Sequence, residues 1–296
     1  MKVAIIHEAP VPTSASRQLM MAFMKRAVKV MYLRLSRLVS YISSSEGWVS
    51  VGSDTKLEEL DAAVVRGLGS VATLETLLRR VNLLKQLESR GTVVVNPVNS
   101  IMVARDKHLS MMELRKAGLA VPETAVVEDV FDAVEIAKKW GKVVIKPLIG
   151  SMGYGSILAS DPDMVYNVGR LLQMHGLPIY IQKYVRKYER DIRVFVVKDR
   201  VLGAMYRYCP EGTWKTNVSQ GARTETAELT EELAEVALKA AKALNLLYTG
   251  VDIGETDEGY VIYEVNATPQ WEGFMRTTGI NPAEYIADMV IEIVKN

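Results

Sequence analysis

Tyr260-Val261-Ile262-Tyr263-Glu264-Val265-Asn266, read together with Gly250-Val251-Asp252-Ile253 just upstream, decides how this chain folds. Side chains alternate along a strand, so Glu264 and Asn266 share one face and Val261, Tyr263 and Val265 share the other, which suits a core. In the neighbouring strand Asp252 stands between core-facing Val251 and Ile253. Two carboxylates and an amide oxygen on facing strands form a hard-oxygen cluster. Mg²⁺ takes such ligands and completes its shell with water and substrate phosphates. Strands disfavour Asp and Asn, so their place in an apolar strand pair points to function. A solvated polar face is the competing reading.

Outward from this pair the chain reads as three parts. Residues 1–98 alternate strands (2–7, 28–33, 62–66, 92–95) with helices (16–27, 74–88), a pattern that implies parallel βαβ units. In the first helix Leu19, Met20, Phe23 and Met24 have helical spacing. Met20, Met21 and Met24 read as flexible core packing. Residues 99–185 read as α+β, with helices at 106–117, 131–140 and 164–175 and strands at 124–127, 143–146 and 179–184. Residues 186–296 hold strands at 192–197, 201–208, 250–253 and 260–266 and helices at 231–244 and 282–294. The fold class is therefore α/β followed by α+β.

The central part carries Lys146-Pro147-Leu148-Ile149-Gly150-Ser151-Met152-Gly153-Tyr154-Gly155-Ser156. A strand delivers Lys146, and Gly150, Gly153 and Gly155 follow in a loop whose amides can turn toward an anion. No Gly-Lys-Ser/Thr ends it, so it is not a Walker A loop. A plain glycine-rich turn is the alternative. Gln182-Lys183-Tyr184-Val185 precedes Asp191-Ile192-Arg193, in which Asp191 and Arg193 share a strand face. There a carboxylate can accept ribose hydroxyls and an arginine can hold a phosphate or carboxylate; a cross-strand ion pair is the other reading. Lys215-Thr216-Asn217 offers a cation and an amide in a turn-rich segment, and Lys107 follows a helix cap at Asp106.

Composition excludes several classes. Lys and Arg number 36 against 35 acidic residues, too even a balance for a nucleic-acid-coating protein. Cys209 is the single cysteine, so no internal disulfide forms, which fits a reducing cytoplasm. No apolar run approaches a membrane span. His7, His108 and His175 do not cluster with Cys209 or a Ser/Asp pair, and no Gly-x-Ser-x-Gly or His-Glu-x-x-His motif occurs.

Taken in order, Ala104-Arg105-Asp106-Lys107, the Lys146–Gly155 loop, Gln182–Arg193, Lys215-Thr216-Asn217, Gly250-Val251-Asp252 and Glu264-Val265-Asn266-Ala267-Thr268-Pro269 resemble the ATP-grasp superfamily, and within it the RimK-like α-L-glutamate ligases. The resemblance implies a pre-ATP-grasp domain at 1–98, a central ATP-grasp subdomain with a glycine-rich lid at 99–185 and a C-terminal subdomain with the metal site at 186–296. It implies that ATP is held by Lys107, Lys146, Gly150, Ser151, Gly153, Gly155, Gln182, Lys183, Tyr184, Asp191, Lys215, Thr216 and Asn217. Asp252, Glu264 and Asn266 would bind Mg²⁺ or Mn²⁺, and Arg193 and Arg207 would serve the transferring group. Relatives often carry an acidic residue where Lys183 stands. Arg66, Arg193, Arg207, Arg223 and Arg276 are candidate carboxylate anchors.

The implied reaction is ATP-dependent amide formation through an acyl phosphate. It joins a carboxylate acceptor to an amino acid, L-glutamate first among the candidates, with neither nucleic acid nor membrane as partner and a homo-oligomer left open. The Val65-Arg66-Gly67-Leu68-Gly69 segment is similar to ligases acting on coenzyme tails, particularly of the tetrahydromethanopterin type. Ile149-Gly150-Ser151 and Asp191–Val197 are similar to the LysX-like branch, which couples a carrier-protein glutamate to α-aminoadipate. A ribosomal protein tail and a deazaflavin coenzyme are other family acceptors. A non-catalytic ATP-binding module and a kinase are readings of another class.

Overall fold

The computed structural model describes residues 1–296 except 54, 58, 70–72, 151–152, 187 and 217–220. In chain order its elements are β1 (Lys2–His7), α1 (Ser14–Lys25), β2 (Lys29–Arg34), β3 (Leu38–Ile42), β4 (Gly47–Val51), β5 (Thr55–Lys56), β6 (Ala62–Val65), α2 (Leu74–Ser89), β7 (Val93–Val95), α3 (Val98–Arg105), α4 (Lys107–Lys116), β8 (Thr124–Val127), α5 (Val130–Trp140), β9 (Val143–Lys146), β10 (Ile157–Ala159), α6 (Pro162–Met174), β11 (Ile179–Lys183), β12 (Arg190–Val197), β13 (Arg200–Tyr208), β14 (Arg223–Ala227), α7 (Glu231–Ala243), β15 (Tyr248–Thr256), β16 (Gly259–Asn266), α8 (Glu272–Thr278) and α9 (Pro282–Lys295).

The N-terminal strands pair in parallel in the order β2-β1-β6-β7. Both faces of this sheet are covered, which is why its strands are apolar throughout rather than alternating. Ala4 and Ile6 enter one hydrophobic cluster with Val81 and Leu84 of α2, whereas Val3 and Ile5 enter another with Leu19 and Phe23 of α1. Each cluster also takes in residues of the C-terminal sheet, β14-β13-β12-β15-β16, such as Val194 and Val251 in the first and Phe195 and Tyr248 in the second. The central antiparallel sheet, β10-β9-β11-β8, has its own cluster under α5 and α6, from Val130 to Ile181.

Four features depart from the sequence reading. The three-stranded sheet β3-β4-β5 lies in a stretch assigned no structure. Helix α3 begins directly after Asn96-Pro97, where only a strand stop was expected. Strand β14 and helix α8 add to the C-terminal part. On α1, Met20 is partly buried, but Met21 and Met24 are 59% and 63% exposed, so neither packs a core. Among the described residues no helix is long and apolar enough to cross a membrane.

Candidate functional site

The strand pair that opened the sequence argument lies edge to edge: β15 and β16 run antiparallel with Asp252 opposite Glu264 and Gly250 opposite Asn266. On its other side β15 meets β12, with Arg193 opposite Asp252, and β12 meets β13, with Asp191 opposite Arg207. Four adjacent strands, β13, β12, β15 and β16, therefore carry a charged cluster on one face. Arg207 donates to Asp191 through Nε (2.7 Å) and Nη2 (2.9 Å), and its Nη2 lies 3.1 Å from Asp252 Oδ1. Arg193 donates to Asp252 through Nε and through Nη2 at 2.8 Å. Thr216 Oγ1 donates to Asp191 Oδ2.

Asp191, Arg207 and Asp252 are all buried. Burial opposes charge on Asp252, yet Arg193 and Arg207 outweigh it and hold its carboxyl below the usual carboxylate range. Burial also opposes the charge on Arg207, and Asp191 and Asp252 more than restore it. Pairs of this kind stay ionised only while complete, since removing one partner strands a buried charge.

Cations reach the cluster from separate elements. Asp106 caps α4 by accepting from the His108 and Leu109 amides (2.9 and 3.2 Å), which sets Lys107 at the first helical position. From there Lys107 Nζ lies 3.8 Å from Glu264 Oε1 and donates to the Gly150 carbonyl (3.0 Å). Lys146, at the end of β9, donates to Gln182 Oε1 (2.6 Å). Buried Gln182 in turn donates to Thr124 Oγ1 (2.9 Å) and Tyr180 Oη (2.8 Å). Lys215 donates to the Gly153 carbonyl (3.1 Å). The glycine-rich loop is thus held by Lys107 on one side and Lys215 on the other.

These groups line one cleft enclosing about 950 Å³ of space continuous with solvent. Of the residues expected from sequence, Lys107, Lys146, Gly150, Gly153, Gln182, Lys183, Tyr184, Asp191, Arg207, Lys215, Thr216, Asp252 and Glu264 border it. Arg193 stands behind Asp252. Asn266, two residues beyond Glu264 on β16, donates to the Gly250 carbonyl at 3.4 Å. Ser151 and Asn217 lie outside the described residues. Lys183 turns its ammonium to Glu123 Oε1 (2.5 Å), and its amide donates to the Glu123 carbonyl (2.9 Å).

Sequence reasoning missed Pro122, Val144, Trp214 and Tyr263 as lining residues. Tyr263 was assigned to the core face. The register shifts between Asp252 and Ile253, where Ile253 pairs with Ile262 and Tyr263 is left over, a β-bulge that swings the phenol to the cleft. Ile262 takes the core position in its place. Gly254 makes room for the ring: a Cβ there would sit 2.2 Å from Tyr263 Oη. Burial and the nearby Asp191 charge raise the Tyr263 pKa, and burial raises that of Tyr180, so both phenols remain neutral.

The wider set of arginine anchors does not converge here. Arg66 is 2% exposed, donates to Tyr248 Oη (3.1 Å) and the Pro269 carbonyl (2.7 Å), and stacks 4.2 Å from the Trp271 ring centroid. It ties the N-terminal sheet to the C-terminal part and has no free face for a substrate. Arg223 is exposed and pairs with Glu225, and Arg276 is exposed on α8.

For a divalent cation, Asp252 and Glu264 are cross-strand partners with hard oxygen donors, and Asn266 keeps its amide oxygen while its nitrogen donates to Gly250. The donor chemistry fits Mg²⁺, which keeps several waters and needs few protein ligands. The three lysines, Lys107, Lys146 and Lys215, suit a polyphosphate, and the apolar wall of Val144, Tyr184 and Val185 suits a flat ring.

Residues 104–290 match the family model described as the RimK-like ATP-grasp domain. The tetrahydromethanopterin:alpha-L-glutamate ligase of Methanosarcina acetivorans is 34% identical over 90% of each chain. The corresponding Methanocaldococcus jannaschii ligase is 37% identical over 81% of this chain and 82% of its own. Among solved structures, the ATP-grasp ligase PsnB, complexed with a phosphomimetic variant of its minimal precursor, Mg and ADP, superposes with a TM-score of 0.76 at 21% identity, covering 99% of this chain and 98% of its own.

Proposed function

The chain belongs to the RimK-like ATP-grasp family and is an ATP-dependent ligase with the ATP-grasp fold, and on that premise we propose that it joins the amino group of L-glutamate to the carboxylate of a small acceptor, a pterin coenzyme tail of the tetrahydromethanopterin class. The observation that carries the reading is the convergence of Lys107, Lys146 and Lys215 with the Asp252–Glu264 pair on a single cleft. Similarity to tetrahydromethanopterin ligases along 90% of the chain supports the choice of substrates.

A carboxylate is a poor electrophile and must first be activated. In the proposed reaction the acceptor carboxylate attacks the γ-phosphorus of ATP and ADP departs. The glutamate amine then attacks the acyl carbon and phosphate leaves. Neither step needs a protein nucleophile. Lys107, Lys146 and Lys215 would hold the phosphates, and Asp191 with Thr216 the ribose side. Positioning of this kind can lower a barrier by about 7–11 kcal/mol. Mg²⁺ held by Asp252, Glu264 and Asn266 would neutralise charge on the phosphoryl group. Acyl phosphates hydrolyse in water, so the loop carrying Gly150 and Gly153 would also serve to exclude it.

Incubation with ATP, Mg²⁺, L-glutamate and a pool of pterin and deazaflavin coenzymes tests the assignment. The expected outcome is ADP release that requires both glutamate and one coenzyme, with mass spectrometry showing glutamyl additions to that coenzyme. Hydroxylamine trapping of an activated acid with no glutamate consumed would replace the ligase by a kinase.

A further inference from the structure

The central sheet presents two unlike faces. On one, Val143 and Ile145 of β9, Ile179 and Ile181 of β11, and Ala125 and Val127 of β8 pack into the cluster under α5 and α6. Alternation sends the residues between them to the other face, and there a polar row crosses three strands. Lys146 of β9 stands opposite Tyr180 of β11, and Gln182, two residues further on, stands opposite Thr124 of β8. Tyr180 and Gln182 are 1% and 2% exposed. Polar groups so buried must find partners within the protein.

They do so through hydrogen bonds that run in one direction. Thr124 Oγ1 donates its single proton to the Pro122 carbonyl at 2.8 Å. Toward Gln182 it is left to accept, and it takes a proton from Nε2 at 2.9 Å. Tyr180 Oη accepts from the same nitrogen at 2.8 Å. An amide nitrogen carries two protons, and both are thereby placed. Oε1 is the atom that remains for Lys146, and it accepts from the ammonium at 2.6 Å. Turning the amide over would set N–H against an ammonium that has only donors, and would leave the oxygen facing a threonine hydroxyl whose proton is already committed.

The choice of an amide has a second consequence. A carboxylate in the place of Gln182 would form an ion pair with Lys146 and cancel charge that a phosphate needs; the amide oxygen fixes the ammonium and leaves its charge whole. We propose that Thr124 and Tyr180 are positioning residues for the nucleotide: by fixing which way the Gln182 amide points, they aim the Lys146 ammonium at the polyphosphate. Neither borders the cleft, so both act through Gln182 and Lys146 rather than by touching the ligand. The inference rests on the reading of Lys146 as a phosphate contact and adds the two hydroxyls that set its aim.

Calorimetric titration of the full chain with adenosine, and separately with a non-hydrolysable ATP analogue in Mg²⁺, tests it. Thr124→Val removes the hydroxyl at nearly constant shape. It should weaken the triphosphate roughly three- to tenfold, the scale of one hydrogen bond, and leave adenosine affinity level. Thr124→Ser restores the proton to Pro122 and should recover wild-type affinity. In a Lys146→Ala background, Thr124→Val should lower triphosphate affinity no further, because the group it aims is gone. Tyr180→Phe keeps the ring, removes the other acceptor of the amide and should show the same split between the two ligands, which preserves the test should Thr124→Val not fold. Equal loss of adenosine and triphosphate, wild-type affinity in both single variants, or a further loss in the Lys146→Ala background overturns the positioning role and leaves the nucleotide site standing. A wild-type chain that takes up neither ligand sinks the ligase reading and this inference with it.

Discussion

Lys146 reaches the cleft on a flexible four-carbon stem, yet its ammonium does not hang free. It meets Gln182 Oε1 at 2.6 Å, and Gln182 is held through its nitrogen by Thr124 and Tyr180. The hydrogen-bonded chain supplies the preorganisation that the lysine stem lacks. Lys146→Ala therefore removes a placed charge from the proposed phosphate site without opening the core. A charge-assisted contact is worth about 1.5–3 kcal/mol, so nucleotide affinity should fall roughly ten- to a hundredfold. Titration with an ATP analogue and initial rates would read this, and a variant with wild-type affinity and rate would remove Lys146 from the phosphate contacts. Lysine and glutamine were both legible in the sequence, because a strand delivers each to a loop. Their contact was not, because it depends on β9 lying beside β11.

At the scale of the element, the β-bulge of β16 decides what the cleft is made of. Strict alternation predicts Tyr263 under Val265 in the core; one extra residue sends it out, and Gly254 leaves the space it enters. A bulge leaves little trace in a single sequence, since its signal is the geometry of the partner strand. Gly254 was the one available clue, a glycine inside a strand pattern. The same limit hid the β3-β4 pair, whose turn Ser43-Ser44-Ser45-Glu46 lacks the usual Asn-Gly or Asp-Gly marker. By contrast helices α4, α5 and α6 were readable to within two residues, and each is capped by an aspartate, Asp106, Asp129 and Asp161. Gly254→Val should evict the Tyr263 ring, at a cost of about 1–3 kcal/mol of stability, and weaken nucleotide binding. Adding Tyr263→Ala should recover part of the stability, which a double-mutant cycle by urea denaturation would measure. Strict additivity would mean that ring and glycine do not compete for one space.

Across the whole molecule, the three principal sheets do not share their cores equally. Two hydrophobic clusters mix residues of the N-terminal and C-terminal sheets, and Arg66 and Asn96 stitch the same boundary: Asn96 donates to the Tyr248 and Ala267 carbonyls at 2.9 and 2.7 Å. The central cluster contains no residue of either other sheet. Where the central sheet faces β12-β13-β15-β16, the cleft lies between them, lined by Val144, Lys146, Gln182 and Lys183 on one side and Asp191, Arg207, Asp252 and Glu264 on the other. A ligand in that cleft would touch both sides and so link them. The central unit should accordingly open at lower free energy than the rest when no nucleotide is present. Binding of Mg²⁺ with an ATP analogue at about a hundred times its Kd adds about 2.7 kcal/mol, and that increment should concentrate in β8, β9 and β11. Hydrogen exchange read by mass spectrometry gives the comparison directly: slowed exchange across residues 124–183 on adding nucleotide, little change in β1, β6 and β7. Ile181→Ala, a cavity of the kind that costs about 2–5 kcal/mol, should accelerate exchange in the same span and leave the parallel sheet untouched. Equal protection of every sheet by the nucleotide would instead make the molecule one cooperative unit, and the cleft a groove on its surface rather than the joint between two parts.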